Sequence, residues 1–392
     1  MYKRFIKGPK ESFFLFGPRG TGKSTWLRLT YPNSIWIDLL DPEKLRYYSA
    51  WPERLRETIQ TEPHKKIIVI DEVQKAPELL PLIHSIIEEK RGLQFILTGS
   101  SSRKLRRTGA NLLAGRALLR FMYPFYASEL GADFSLKKAL QIGTLPIVWD
   151  ASTPEETLKT YAALYLKEEI QAEGLVRQVG DFARFLEISS FSHGNLLNST
   201  NISRECDVAR KTVENYLGIL EDLLLSFTLP VFTKRAKREL SAHPKFYLFD
   251  PGVFRSLRPK GPLDKPEEID GAALEGLVAS HLHAWCKSQN EPHSLSFWRT
   301  RSGSEVDFII YGPTCFLAIE VKLTKKLHPS DTIALEAFQK DYPEATPLIL
   351  YMGETKILSN NIAALSCEDF LKNLHPDLPI NFNAGLQREK FL

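Results

Sequence analysis

The sequence predicts an α/β protein of several domains, and three observations carry that prediction. Short apolar runs alternate with helical patterns over the first 122 residues. A glycine-rich loop, Gly17 to Ser24, lies between the first run and the first helix. Near the C-terminus, two adjoining apolar runs carry an aspartate, a glutamate and a lysine at fixed spacing. Strand–helix alternation of the first kind argues for a parallel sheet flanked by helices.

The chain has 392 residues, enough for about two to four domains. At 43% hydrophobic and 25% charged residues it has the composition of a globular protein rather than a disordered one. Its formal charge is only +4, so affinity for nucleic acid has to come from local patches. Cys206, Cys286, Cys315 and Cys367 form no CxxC, which argues against a zinc site or a disulfide framework and fits a reducing cytoplasm. The first residues lack the apolar segment of a signal peptide, and no apolar run reaches 18 residues, so a cytoplasmic protein with no membrane partner is expected.

In the first piece, 1–122, Phe13–Phe16, Ile35–Leu39, Ile67–Ile70 and Phe95–Leu97 read as strands. Ser24–Thr30, Pro42–Gln60 and Pro77–Lys90 read as helices. The second piece, 123–180, reads as a helical lid or connector, clearest over Leu158–Gln171. The third, 181–257, reads as a helix–turn–helix followed by a basic β segment. A Pro- and Gly-rich linker, Arg258–Pro266, leads to the fourth piece, 267–372, with the order helix, strand, strand, helix, strand. The last residues, 373–392, read as a tail.

GPRGTGKS fits G-x-x-x-x-G-K-[ST]. Backbone N–H groups of Gly17, Pro18, Arg19, Gly20, Thr21 and Gly22 are the expected phosphate cradle, less the one proline that has none, with Thr25 opening the helix beyond it. Lys23 is expected at the β- and γ-phosphates of ATP, and Ser24 at Mg²⁺. The positive end of the following helix adds to the attraction. The strand IIVIDE ends in two acids: Asp71 is expected at the Mg²⁺ shell and Glu72 beside the attacking water. Ligands of open α/β sheets lie at the carboxyl ends of strands, where both acids fall. Thr98 or Ser100, ending the next strand, is the candidate that orients this water; a helix cap is the alternative. Six Lys/Arg and no acid lie between Ser100 and Arg120. Among them Arg116 reads either as an arginine finger on a neighbouring subunit's nucleotide, or as part of a solvated or DNA-contacting face.

In NISRECDVARKTVENYLGILEDLLL, Ile202, Val208, Val213, Leu217 and Leu220 form an apolar stripe, which turns Arg210, Lys211, Thr212 and Asn215 outward. Such a surface suits a recognition helix. The segment Thr233–Lys245 then holds five Lys/Arg and one Glu. Its Lys234, Arg235, Lys237 and Arg238 read as a basic wing for DNA phosphates, or as a solvated hairpin on a protein-binding bundle.

Asp307 and Glu320 are 13 residues apart. A tight turn at Pro313-Thr314 sets them opposite each other, with Cβ atoms about 5 Å apart. Carboxylates that close repel unless a cation separates them. Lys322 shares the face of Glu320, and Glu275 on the preceding helix completes a set able to hold Mg²⁺ beside a lysine.

In this order GPRGTGKS, IIVIDEVQ, LTGSS and AGR followed by MYPFYASEL resemble a widespread prokaryotic family of AAA-type P-loop ATPases. The family's C-terminal region of unknown function is matched by YLKEEI, FARFLEISS, the helix–turn–helix, KFYLFDPGV, FWRTRSGSEVDF and AIEVK. The resemblance runs from about Phe5 to Met352. It implies a winged helix followed by a PD-(D/E)XK nuclease-like core, in which Asp307, Glu320 and Lys322 match the nuclease motif and Glu275 its helical acid. The expected function is an Mg²⁺-dependent ATPase that binds and processes DNA, with a C-terminal metal-dependent nuclease-like domain. The alternatives are an ATP-gated DNA- or protein-binding switch, or a DNA-remodelling motor, whose C-terminal core does not cut. A homo-oligomer, even a hexameric ring, accompanies the motor reading.

Overall fold

The computed structural model describes residues 2–100, 112–165, 179–234, 243–358 and 362–380. The chain divides into two compact units. One comprises Ile6–Pro124 with Gly218–Leu225; the other gathers the described residues of Met1–Phe5, Phe125–Leu217 and Ser226–Leu392.

The first unit is built on five strands: β1 (Phe13–Phe16), β2 (Ile35–Asp38), β3 (Ile67–Asp71), β4 (Gln94–Gly99) and β5 (Leu118–Phe121). Their order is β2-β3-β4-β1-β5, and every pairing is parallel. Alternation fills both faces of the sheet, as a parallel sheet between helices requires. Phe14, Phe16, Ile68, Ile70, Phe95 and Leu97 enter one core, while Phe13, Leu15, Val69 and Ile96 enter the other. With Phe16 opposite Gly99, and Ile70 opposite Leu97, β1, β3 and β4 finish at one edge.

The flanking helices depart from expectation at one place. Pro42–Gln60 is not one helix but two, Pro42–Ala50 and Arg54–Thr61. Pro52 disfavours the helical conformation at Trp51, which adopts φ −141° and ψ 77°. Asp41 caps the first of these helices by accepting from the Glu43 N–H.

The second unit contains a small antiparallel sheet and a larger mixed one. The small sheet joins β6 (Asn195–Leu196), β7 (Ser226–Leu229) and β8 (Lys245–Leu248) in the order β6-β8-β7. The larger uses β9 (Ser294–Arg299), β10 (Glu305–Tyr311), β11 (Phe316–Lys322), β12 (Thr346–Tyr351), β13 (Lys356–Ile357) and β14 (Ala363–Ser366), in the order β13-β14-β12-β11-β10-β9. Ile310 pairs with Leu317, and the Gly312 N–H donates to the Cys315 carbonyl at 3.0 Å, the register that the hairpin spacing requires. Strands β9, β13 and β14 and the helix Cys367–Asn373 are additions to the order read from the sequence.

A helix–turn–helix spans Ser199–Cys206 and a helix beginning at Arg210. Asn198 caps the first helix, and Asp207 in the left-handed region ends it. The helix expected over Leu158–Gln171 begins earlier, as Pro154–Thr160, and continues as a wider π-turn over Tyr161–Tyr165. Its remainder lies outside the described residues. Residues 374–380, read as part of a loose tail, are tied down: Trp285 Nε1 donates to the Leu378 carbonyl at 3.0 Å and Gln289 to that of Pro376 at 2.7 Å.

Asp250 is wholly buried and caps the helix Pro251–Leu257 through the N–H groups of Gly252 and Val253, while also accepting from Thr144 N–H at 2.7 Å. Burial lifts its carboxyl to about 6, against the pull of those N–H donors. The close approach needs Gly252, where an added Cβ would stand 2.2 Å from the Ile142 carbonyl oxygen. Gly252→Ala is therefore expected to destabilise the protein by about 1–3 kcal/mol in a denaturant titration. Gly271→Ala, in the helix Pro266–Ser288 with open space at its Cβ, is expected to leave stability unchanged or raise it.

Candidate functional site

Two groups of chemical side chains stand out, one in each unit. The first lies at the shared edge of β1, β3 and β4. After β1 the chain turns through Gly20 (φ 84°) and Gly22 (φ 88°), left-handed conformations that favour glycine, and enters the helix Lys23–Thr30. Gly17 is equally constrained, since a Cβ there would meet the Met122 carbonyl oxygen at 2.3 Å. Lys23 is buried, and its Nζ donates to the carbonyls of Gly17 at 2.6 Å and Pro18 at 3.2 Å. The Thr21 hydroxyl donates to the Pro18 carbonyl at 2.8 Å. Arg19 and Thr25 are exposed and Ser24 is half-buried.

Asp71 is buried at the end of β3, where the Thr98 hydroxyl donates to its Oδ1. That hydroxyl also accepts from the Glu72 N–H at 3.0 Å, so Thr98 ties both acids to the end of β4. Glu72 adopts φ 62°, an uncommon left-handed conformation for a residue with a side chain, and so turns the chain sharply at the strand end. Gln74 was not singled out by the sequence. It is buried, and its Nε2 donates to Glu72 Oε2 at 2.6 Å and to Ser100 Oγ at 3.3 Å, while its Oε1 has no partner among the described residues. Arg116 is exposed and pairs with Glu88, whose carboxyl it holds below the ordinary value.

The second group lies between the two sheets of the second unit. Its centre is Lys245 on β8, which keeps 2% of its surface. Its Nζ is 2.5 Å from Glu305 Oε1, 2.9 Å from Glu275 Oε1 and 3.4 Å from Asp307 Oδ1. The Tyr247 hydroxyl donates to the same Glu275 oxygen at 2.6 Å. Arg299 Nη1 donates to Glu305 Oε2 at 2.6 Å, the Val321 N–H to Asp307 Oδ2 at 2.9 Å, and Lys322 Nζ to Glu320 Oε1 at 2.6 Å. Glu320 Oε2 is buried and has no hydrogen-bond partner among the described residues.

The charges are perturbed accordingly. Burial, with the charge of Asp307, pushes Glu320 up to about 8 despite Lys322. Burial lifts Glu275 to about 7, with Lys245 pulling the other way. Burial draws the Lys245 ammonium down, but Tyr247, Glu275, Asp307 and Glu305 outweigh it, and its pKa stands well above the usual lysine value.

This geometry alters the expected metal site. Glu275, Asp307 and Glu320 are neighbours, but among the described residues no three Asp, Glu, His or Cys side chains converge as a metal-binding group. A hard divalent cation needs several available oxygens. Here Asp307 accepts from Lys245 and Val321, Glu275 Oε1 from Lys245 and Tyr247, and Glu320 Oε1 from Lys322. As arranged, the donor set does not fit a metal. Lys245 had been counted with the basic wing; the sign that it is not is its place in KFYL, where it shares a strand face with Tyr247 between apolar residues.

The segment read as a basic wing is described only at its start. Phe232 is buried, its N–H donates to the Phe297 carbonyl at 2.7 Å, and Lys234 Nζ lies 4.0 Å from the Tyr311 ring centre. Arg235, Lys237 and Arg238 lie outside the described residues. On the helix–turn–helix, Arg210, Lys211 and Asn215 are exposed, Thr212 is half-buried, and Arg210 pairs with Glu214 at 2.8 Å. Of the apolar stripe, Ile202, Val213, Leu217 and Leu220 are buried and Val208 is half-buried. Among the described residues no helix is long and apolar enough to cross a membrane.

A carboxyl raised by burial contributes stability that is complete below its ordinary pKa near 4.5 and is lost as pH climbs through about 8. Glu320→Gln keeps the neutral form at every pH. The melting temperature of the variant, relative to the unmodified protein, is therefore expected to rise steadily from pH 5 to pH 8. A constant difference would contradict the buried, protonated carboxyl.

Residues 9–131 match a family model described as AAA domain. Residues 133–264 match one described as Domain of unknown function (DUF8612), and residues 270–370 another, Domain of unknown function (DUF4143). Uncharacterized proteins of Mycobacterium bovis and Mycobacterium tuberculosis are each 26% identical over 314 residues, covering 78% of this chain and 69% of theirs. Among solved structures, the chain is similar to the Aeropyrum pernix ORC1 protein in complex with DNA, at 14% identity and TM-score 0.25, covering 64% of this chain and 87% of that one. It is also similar to the replication initiator DnaA bound to AMPPCP and single-stranded DNA, at 12% identity and TM-score 0.28, covering 54% and 82%. The family match falls on the loop and sheet edge described above, so residues 9–131 are similar to AAA domains.

Proposed function

We propose that the protein is an Mg²⁺-dependent ATPase whose nucleotide state gates binding of DNA. The observation that carries the ATPase reading is the Asp71–Thr98–Glu72 linkage at the same sheet edge as the loop from Gly17 to Ser24. Asp71 and the Ser24 hydroxyl offer oxygen donors of the kind Mg²⁺ takes, so the residues present fit that ion. Bound Mg²⁺ supplies charge neutralisation at the phosphates.

The chain's own residues supply the rest. The backbone from Gly17 to Gly22 cradles phosphate oxygens, and Lys23 exchanges its carbonyl partners for the β- and γ-phosphates. Glu72 accepts a hydrogen bond from the attacking water and orients it. Thr98 fixes Asp71 and the Glu72 backbone, and Gln74 holds the Glu72 carboxylate. Arg116 is exposed and has to leave Glu88 before it can serve a neighbouring subunit, so a ring with Arg116 acting in trans is not part of this reading.

DNA is proposed as the partner because Lys211 and Asn215 stand exposed at the start of the second helix of a helix–turn–helix, the place from which a recognition helix reads a groove. The nuclease reading is set aside because Lys245 stands among the acids it would use.

Lys23→Ala is expected to weaken ATP binding at least tenfold in a fluorescent-nucleotide titration. Glu72→Gln is expected to keep binding and lose turnover by about 10²–10⁴-fold. Full turnover in Glu72→Gln would remove it from catalysis. For DNA, the slope of log affinity against log salt measures the phosphate contacts, and Lys211→Ala is expected to lower it by about one. An unchanged slope and affinity would move DNA contact elsewhere.

A further inference from the structure

We infer that Lys245 is the resident cation of the C-terminal acidic cluster: its ammonium takes the place of a divalent ion among Glu275, Glu305 and Asp307, so the cluster works without metal, as a charge lock between the two sheets of its unit.

Three independent features support this. The first is contact. Three carboxylates from two elements surround one ammonium at 2.5–3.4 Å, and Lys245 is almost fully buried. A lone buried ammonium is strongly disfavoured, and one with several carboxylate partners is not. The second is saturation. Arg299 engages the second oxygen of Glu305 and the Val321 N–H that of Asp307, Tyr247 adds a second donor to Glu275 Oε1, and Lys322 holds the neighbouring Glu320, so a metal would first have to displace protein donors. The third is placement. Lys245 and Tyr247 come from β8 in the small sheet, Glu275 from the helix Pro266–Ser288, Glu305 and Asp307 from β10, and Glu320 from β11. A second tie runs in parallel, where Val231 pairs with Phe297 on β9 and Phe232 enters the aromatic cluster of Phe316, Phe338 and Tyr342. The lock therefore closes a joint that apolar packing already brings together.

The consequence is chemical as well as structural. A PD-(D/E)XK-like arrangement needs its acids free for a metal and its lysine free for water. Here one added lysine occupies the acids, and Lys322 is held by Glu320. Replacing Lys245 with an uncharged side chain leaves Glu275, Glu305 and Asp307 facing one another, a set that a divalent ion would neutralise.

The test is a Mn²⁺ titration of the full chain without nucleotide, followed by calorimetry and by melting temperature, so that its outcome is independent of the P-loop reading. The unmodified protein is expected to show the same Mn²⁺ response as Asp307→Asn. Lys245→Gln is expected to gain Mn²⁺ binding at least tenfold tighter than the unmodified protein, with a rise in melting temperature that the double variant Lys245→Gln/Asp307→Asn lacks. Two results would overturn the inference: a Mn²⁺ response of the unmodified protein that Asp307→Asn abolishes, or a folded Lys245→Gln that gains no binding. Should Lys245→Gln fail to fold with or without Mn²⁺, the comparison of the unmodified protein with Asp307→Asn decides the question alone.

Discussion

The larger unit depends on a single buried ammonium. Removing Lys245 from water carries a penalty of several kcal/mol, which only close, multiple and well-directed partners offset. Glu275, Glu305 and Asp307 provide them, and each is in turn held by a further donor or by burial. Truncating one member of such a network typically costs about 3–5 kcal/mol, because the others are left charged and unpaired. The cluster thus ties together the small sheet, the long helix and the central hairpin of the large sheet. Its chemistry, acids around a lysine, is the same chemistry that a metal-dependent site would need to leave open.

The P-loop unit depends on a constraint of a different kind. A parallel sheet brings the carboxyl ends of its strands to one edge, so Gly17, Asp71 and Gly99 meet there although they are far apart in sequence. Insertion of β4 between β1 and β3 places the Thr98 hydroxyl beside Asp71 and under the Glu72 amide. Gln74 then links Glu72 to Ser100. The ends of β3 and β4 therefore share one hydrogen-bonded chain, and a change at either is transmitted to the acids.

Much of this was legible in the sequence, for physical reasons. Glycine spacing in GPRGTGKS, the paired acids of IIVIDE and the two-residue period of the 305–322 hairpin are local signals, and each survives in the structure as loop, strand end and register. What was not legible is long-range. Lys245 looked like a wing residue because its neighbours in sequence are basic, whereas its partners lie 30 to 62 residues away. Gln74 closes the IIVIDEVQ stretch without any role being read for it, and that role follows only from the turn that Glu72 makes at φ 62°. Pro52 was visible, yet a helix was read across it, and the structure breaks there.

The most direct measurement is an anomalous diffraction map of crystals grown with Mn²⁺ and a non-hydrolysable ATP analogue. The account predicts a Mn²⁺ peak beside Ser24 and Asp71 and none among Glu275, Asp307 and Glu320, with the Lys245 ammonium still at the centre of the acids. A peak within that cluster, with Lys245 displaced, would contradict it and return the C-terminal core to metal chemistry.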